Sequence, residues 1–395
     1  MADKYVTVAG AGTKAGTSWA NAFDLAAWDV DLEVMASAGD RYYVEEGTYV
    51  FTGNTASGID GTLTNPIVII GVKASTTAEP PTQSDWATGD NRPLIAASSY
   101  SFSFDNYWQI FNLSVITTSA DGLKMDIGGF LHNCRVANTS PTANRKAVYL
   151  GANFGGAFNC EFVSLNGYAV RATAVGAYME NCWVHDSSVG ILADSDGMVI
   201  RGCNVDKCTT GIDTGTNGGC RIVNNTINRC TTGLDFTGPG DGNFALNNNI
   251  SNCTTGATAT SGRWNFLDYN NFYNNTTDRT NVTAGSNDTA NNPNFTRDRV
   301  EGTATGGSTT TLIDTTTNFV DEGVLVGDTV QNTSNKEASI ITSITTTTNT
   351  NDTLNFTAMP SSNDSADGYS ISGDYSLQSG SDLIDAGQGM GLGVG

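Results

Sequence analysis

Apolar and polar residues alternate in runs only a few residues long, and each run breaks off at Asn, Asp, Gly or Thr. Period-2 alternation over so few positions predicts very short β-strands separated by turns. The runs recur in register. His132-Asn133-Cys134-Arg135-Val136 is followed by Phe158-Asn159-Cys160-Glu161-Phe162, Glu180-Asn181-Cys182-Trp183-Val184 and Arg201-Gly202-Cys203-Asn204-Val205. Val223-Asn224-Asn225-Thr226-Ile227, Leu246-Asn247-Asn248-Asn249-Ile250 and Asp268-Tyr269-Asn270-Asn271-Phe272 continue the series, and Phe111-Asn112-Leu113-Ser114-Val115 begins it. The key position falls at 113, 134, 160, 182, 203, 225, 248 and 270, so the repeat is about 22 residues. Residues at the key position and two further on share one strand face.

A second series lies five residues after the key cysteine or asparagine. It reads Cys208-Thr209-Thr210-Gly211-Ile212, Cys230-Thr231-Thr232-Gly233-Leu234 and Cys253-Thr254-Thr255-Gly256-Ala257, with Ser187-Ser188-Val189-Gly190-Ile191 before it and Asn275-Thr276-Thr277 after. One such unit cannot bury a core, but units stacked coil on coil can. A rise of about 4.8 Å per coil then pairs each strand in parallel with its neighbours.

These Asn-Cys-x-Val and Cys-Thr-Thr-Gly-Ile units resemble the right-handed parallel β-helix of the pectate-lyase-like superfamily. The opening, from Gly16-Thr17-Ser18-Trp19 through Gly39-Asp40-Arg41-Tyr42-Tyr43-Val44, and the closing, Asn292-Pro293-Asn294-Phe295 with Tyr375-Ser376-Leu377, are similar to the ends of such chains. The resemblance implies an all-β solenoid of ten or eleven coils and leaves function open, because one fold hosts many activities. Residues 301–372 break the repeat. They are Thr-rich with five or six short apolar runs, which predicts a small inserted β-barrel or sandwich resembling β-modules of phage-encoded virion proteins. The expected organisation is a cap and first coil over 1–50, the β-helix over 51–300, the insert over 301–372, and a last coil and tail over 373–395.

Composition narrows the partners. Lys and Arg total 19 against 40 Asp and Glu, a formal charge of −21 that argues against nucleic acid and anionic membrane surfaces as ligands. Such acidity also sits badly with an acidic polysaccharide. No run approaches the roughly 18 apolar residues of a membrane span, and the first residues do not read as a signal peptide, so assembly in a cytoplasm is expected.

Candidate chemistry is sparse. The cysteine ladders read as an internal stack of small apolar side chains rather than a metal site, since Asn and Leu take the same position on other coils. The column Asn112, Asn133, Asn159, Asn181, Asn224 and Asn247 is expected to hydrogen-bond amide to amide along the axis. Outward positions of the second series stack as Arg171, Leu192, Asp213, Asp235 and Thr258. Asp213 and Asp235 on adjacent coils are therefore the candidate catalytic pair, and with Asp194 and Asp196 the candidate Ca²⁺ ligands; no other cofactor is expected. Lys207 and Arg229 stack above Asp186 as a surface charge ladder, and His132 and His185 read as turn or surface residues. Outward Arg135, Glu161 and Trp183 fall on successive coils, and Trp183, Tyr178 and Arg135 are the candidate glycan-binding residues.

The leading expectation is a non-enzymatic virion surface protein: a phage capsid decoration, spike or tail-associated protein. It would be a homotrimer, contact other virion proteins, and attach to host surface polysaccharide. The alternative is a carbohydrate-active β-helix enzyme, a tailspike-like polysaccharide hydrolase or lyase using Asp213 and Asp235.

Overall fold

A computed structural model describes residues 1–97, 101–260, 264–293 and, with short gaps, 295–377. Two compact units are separated near Asn291 and Asn292.

The first unit is a solenoid of three parallel sheets holding 11, 10 and 10 strands. In the coil around Cys203, Val199–Arg201 belongs to the first sheet, Asn204–Asp206 to the second and Thr210–Asp213 to the third. Each strand pairs in parallel with the equivalent strands one coil before and one after; Val205, for instance, lies between Val184 and Ile227. One or two residues per strand point inward, aligned with their counterparts above and below. Val136, Phe162, Val184, Val205, Ile227, Ile250 and Phe272 thus make one fully buried column of a continuous core. Apolar burial is what holds these three-residue strands in place, because none is long enough to persist alone.

Turns between the sheets repeatedly need a residue with positive φ. Between the first and second sheets it is Asn112, Asn133, Asn159, Asn181, Asn224 or Asn247, at 52–58°, and Gly202 takes the place in its own coil. Asn tolerates this left-handed region where a bulky side chain does not. The column therefore owes its asparagines to backbone conformation more than to the expected amide ladder. One amide–amide bond of that kind is described, from Asn133 Nδ2 to Asn112 Oδ1 at 2.6 Å. The continuous ladder lies one residue later and points into the core. Asn225 Nδ2 donates to Asn248 Oδ1 at 3.0 Å, and Asn248 Nδ2 to Asn270 Oδ1 at 2.9 Å. The side-chain oxygens of Asn225, Asn248 and Asn270 accept the backbone N–H of Cys203, Asn225 and Asn248 in turn at 2.9–3.0 Å, and Asp288 Oδ1 ends the series by accepting from Asn270 N at 2.8 Å.

All eight cysteines are buried and free of disulfides. Several thiols donate to the carbonyl two residues earlier, as Cys134 does to His132 at 3.4 Å and Cys253 to Ser251 at 3.3 Å. Burial pushes the Cys160 thiol far up, and the hydrogen bond with Cys230, followed by burial, does the same for Cys253, so both stay protonated.

At the N-terminal end a helix, Leu25–Val34, packs on the first coils. The strand-like composition of the whole chain hides it. Locally, Asp24 Oδ1 accepts from Ala27 N at 2.9 Å as an N-cap, and Leu-Ala-Ala-Trp supplies good helix formers. Trp28 and Leu32 insert into the solenoid core. A buried charge cluster fixes the cap: Lys4 Nζ lies 2.6 Å from Asp31 and 3.1 Å from Asp40, and Tyr42 donates to Asp31 at 2.5 Å.

The second unit spans Asn292–Asp385 and has its own core. Among the described residues its main sheet has seven strands, all paired antiparallel. Leu312, Phe319, Val330, Leu354, Tyr369 and Ile371 fill the core. Phe295–Arg297 pairs antiparallel with Asp374–Leu377. A coil of the β-helix pairs in parallel, so 374–377 differs from the last coil expected over 373–395; residues 378–395 lie outside the described residues. The unit also begins earlier than the expected 301, near 292.

Candidate functional site

Short strands leave the outer face of each sheet with two readable positions per coil, and the parallel register lines these up as columns. On the second sheet Arg135, Glu161 and Trp183 are direct neighbours in register, with Ala137, Val163 and His185 beside them. The second of these columns is buried although it faces outward. His185 is only 4% exposed, because the Trp183 ring covers it at 3.9 Å between centroids.

His185 is not the turn or surface residue expected. It ends the strand Trp183–His185 and anchors an ion network. Its Nδ1 lies 2.7 Å from Asp186 Oδ2 and its Nε2 3.3 Å from Glu161 Oε1, while Arg135 Nε stands 3.1 Å from the same Glu161 oxygen. Ionised carboxylates only accept, so the two ring nitrogens can serve both neighbours only when the imidazole is protonated. Burial opposes that charge, but the hydrogen bonds and attraction from Asp186 and Glu161 win and raise the His185 pKa above its ordinary value. Burial likewise opposes the Glu161 carboxylate, yet Arg135 and His185 bring its pKa down to about 2. The network thus alternates in sign and holds Trp183 flat against a charged ring.

Tyr178 lies on the first sheet, one turn before Trp183. Its hydroxyl donates to Glu180 Oε2 at 3.2 Å, and Glu180 Oε1 lies 3.8 Å from Arg201. Tyr178 also closes a column of rings on that face. Phe111, His132 and Phe158 stack nearly parallel at 4.5 and 4.9 Å, and Phe158 stacks on Tyr178 at 5.5 Å. His132 is therefore a ring in an aromatic stack, and its burial there lowers its pKa. Further along the same sheet, Trp264 is 61% exposed and Phe266 43%, both packed against Phe244. The sequence reading passed over this cluster, since no repeat unit contains Trp264. The signal available was an isolated Trp followed by a Phe two residues on, which places both rings on one face.

Asp213 and Asp235 stand on the third sheet, opposite each other in register, and the column runs from Arg171 through Leu192 to Thr258. Each carboxylate also closes its own turn. Asp213 Oδ1 accepts from Gly215 N at 2.7 Å, and Asp235 Oδ1 from Thr237 N at 2.8 Å. Burial pushes the Asp213 pKa up, with smaller contributions from Asp235 and Asp194, and the Gly215 bond opposes them. Asp194 pairs with Arg171 at 3.0 Å and accepts from Thr216 Oγ1 at 2.8 Å; Asp196 accepts from Gly218 N at 3.3 Å. Among the described residues no group of three or more His, Cys, Asp or Glu side chains comes together as a metal site. In the turn after the second sheet, Asp186, Lys207 and Arg229 share the positive-φ position, and Arg229 lies 3.4 Å from Asp206.

A family model described as "Right handed beta helix region" matches residues 121–245. No curated protein matches the sequence. Among solved structures the chain is similar to pectate lyase Pel9A, with a TM-score of 0.53 at 14% identity over 75% of this chain and 83% of that one. It is also similar to a rhamnogalacturonan lyase (TM-score 0.44, 13% identity, 75% and 91% covered) and to the Dettilon tailspike protein (0.41, 11%, 94% and 94%). Together with the sheet topology, the family model and the Pel9A likeness make the first unit a right-handed parallel β-helix.

Proposed function

We propose that this chain is a non-enzymatic structural protein of a virion surface, a decoration, spike or tail-associated rod, that attaches to host surface polysaccharide. The observation that carries the glycan reading is the pair of half-exposed aromatics, Trp183 and Tyr178, each fixed by its own charged network on neighbouring sheets. Aromatic side chains already held in one rotamer lose little entropy on meeting a sugar, and the surrounding Arg135, Glu161 and Arg201 offer donors and acceptors to hydroxyls. The repeat supports a rod whose coils share one continuous core, and eight unlinked thiols suit assembly in a reducing cytoplasm. Homotrimer formation is part of this proposal. The test is binding of the purified chain to polysaccharides from candidate host surfaces by calorimetry. Trp183→Ala and Tyr178→Ala should each weaken binding by about tenfold, on the order of 1.4 kcal/mol, with no shortening of the glycan. Unchanged affinity in both variants would remove these residues from the reading.

The alternative keeps one specific observation in its favour: Asp213 has a raised pKa and faces a second carboxylate on the next coil. That is the arrangement of an acid with a nucleophile or base in a polysaccharide hydrolase. Release of oligosaccharide that Asp213→Asn and Asp235→Asn abolish would establish it and displace the non-enzymatic reading.

A further inference from the structure

We infer that the N-terminal helix, Leu25–Val34, is a docking surface for a segment of another protein in which aliphatic residues are flanked by lysine or arginine. A surface helix ordinarily has one apolar stripe, and a helix apolar on two opposite faces is covered on both. Here Trp28 and Leu32 on one face enter the solenoid core, while Ala26, Val30 and Val34, four residues apart, form a second stripe on the other. Val30 is 55% exposed and Val34 67%, and Met35 at the helix end is 63% exposed. Val8 and Val50 are half exposed beside the helix. With Leu25 and Val30 they wall a surface pocket of about 540 Å³ whose polar lining includes Asp24 and Asp29. Val8, Val30 and Val50 meet at this one pocket, so the exposed apolar side chains here form a patch and not a scatter.

The rim decides the occupant. Toward solvent the helix carries Asp29 and Glu33 and no basic residue, Asp31 being buried against Lys4, and Lys14 is already held 2.6 Å from Asp24. A second copy would bring the same acidic rim against itself on a chain of formal charge −21. A cationic, aliphatic segment satisfies both the stripe and the rim.

The test uses the full chain and two synthetic amphipathic helices, one of Leu and Lys and one of Leu and Glu, titrated by calorimetry and followed by amide hydrogen exchange. The Leu/Lys helix should bind and protect residues 24–36 and 48–52, and the Leu/Glu helix should not bind. The Val30→Asp/Val34→Asp variant is stringent, because it adds negative charge and would strengthen mere attraction to a cation. Loss of affinity by about tenfold or more in that variant, with Val175→Asp unaffected, supports the inference. Equal binding by all variants, or protection elsewhere on the chain, would overturn it as adsorption to an acidic coat. Self-association that the Val30→Asp/Val34→Asp variant dissolves would overturn it in favour of a second copy.

Discussion

Neighbouring asparagines in one motif should respond to glycine in opposite ways. Asn248 is 1% exposed and points inward. Its Nδ2 donates to Ile222 O at 2.8 Å and to Asn270 Oδ1 at 2.9 Å, and its Oδ1 accepts from Asn225 N and Asn225 Nδ2, both at 3.0 Å. Asn248→Gly strips all four. Asn225 Nδ2 keeps Ile200 O, and Asn270 Oδ1 keeps the backbone N–H of residue 248, so those two groups remain satisfied. The Ile222 carbonyl keeps its ladder partner in the next coil, so the Asn225 N–H is the group left unpaired inside the core. At roughly 1–3 kcal/mol for that group, the expected loss is about 2 kcal/mol before any cavity term. Asn247 sits one residue earlier at a φ of 55°, with its side-chain oxygen making no hydrogen bond. Asn247→Gly should therefore change stability by no more than about 0.5 kcal/mol, as Gly202 already does the same work one turn position away in its own coil, whereas Asn247→Ala should cost about 1 kcal/mol for the left-handed backbone. Urea unfolding followed by circular dichroism gives the three values, and amide exchange over 222–250 shows whether the loss is local, as nearest-neighbour coupling requires. If Asn248→Gly and Asn247→Gly proved equal within error, the ladder would not be a stabilising element and the argument would fail.

The cap cluster predicts that Lys4→Met leaves Asp31 and Asp40 buried without their cation. It should cost about 3 kcal/mol or more and raise amide exchange over 25–45 ahead of the rest of the solenoid. The His185 network makes stability depend on pH in two directions. The depressed Glu161 pKa contributes above the ordinary carboxylate range and is lost as pH falls through about 2; the raised His185 pKa contributes fully below about 6.5 and is lost as pH rises through its folded value. Urea midpoints should therefore fall on the alkaline side for the native chain and lose that slope in His185→Gln. Buried thiols should not react with Ellman's reagent in the native state, and all eight should react in denaturant; rapid reaction of any without unfolding would contradict their burial.

The 22-residue period alone was enough to place the coils, because a stacked solenoid forces like positions onto one another and the stacking leaves a column in the sequence. It also placed Asp213 opposite Asp235 and Arg135 beside Glu161, since a shared register is all those statements require. Side-chain direction at the turns was harder to read. The cysteine column reads as inward and is, yet Asn133 beside it sits in the left-handed region, and a sequence column does not say whether a repeated Asn is there for its backbone or for its amide.

What the sequence by itself determined was architecture: strand length, coil period, the inward columns of the repeat, and that a second, differently built unit follows. Only the tertiary structure decided the chemistry of the surface. His185 is buried with a raised pKa because Glu161 arrives from one coil earlier and Trp183 folds over it, and the second apolar stripe of Leu25–Val34 is visible only once Trp28 has shown which face is inward. Periodicity is a property of the chain and survives in one dimension. The charge state and exposure of a side chain depend on neighbours that the period brings near but whose orientation it leaves open.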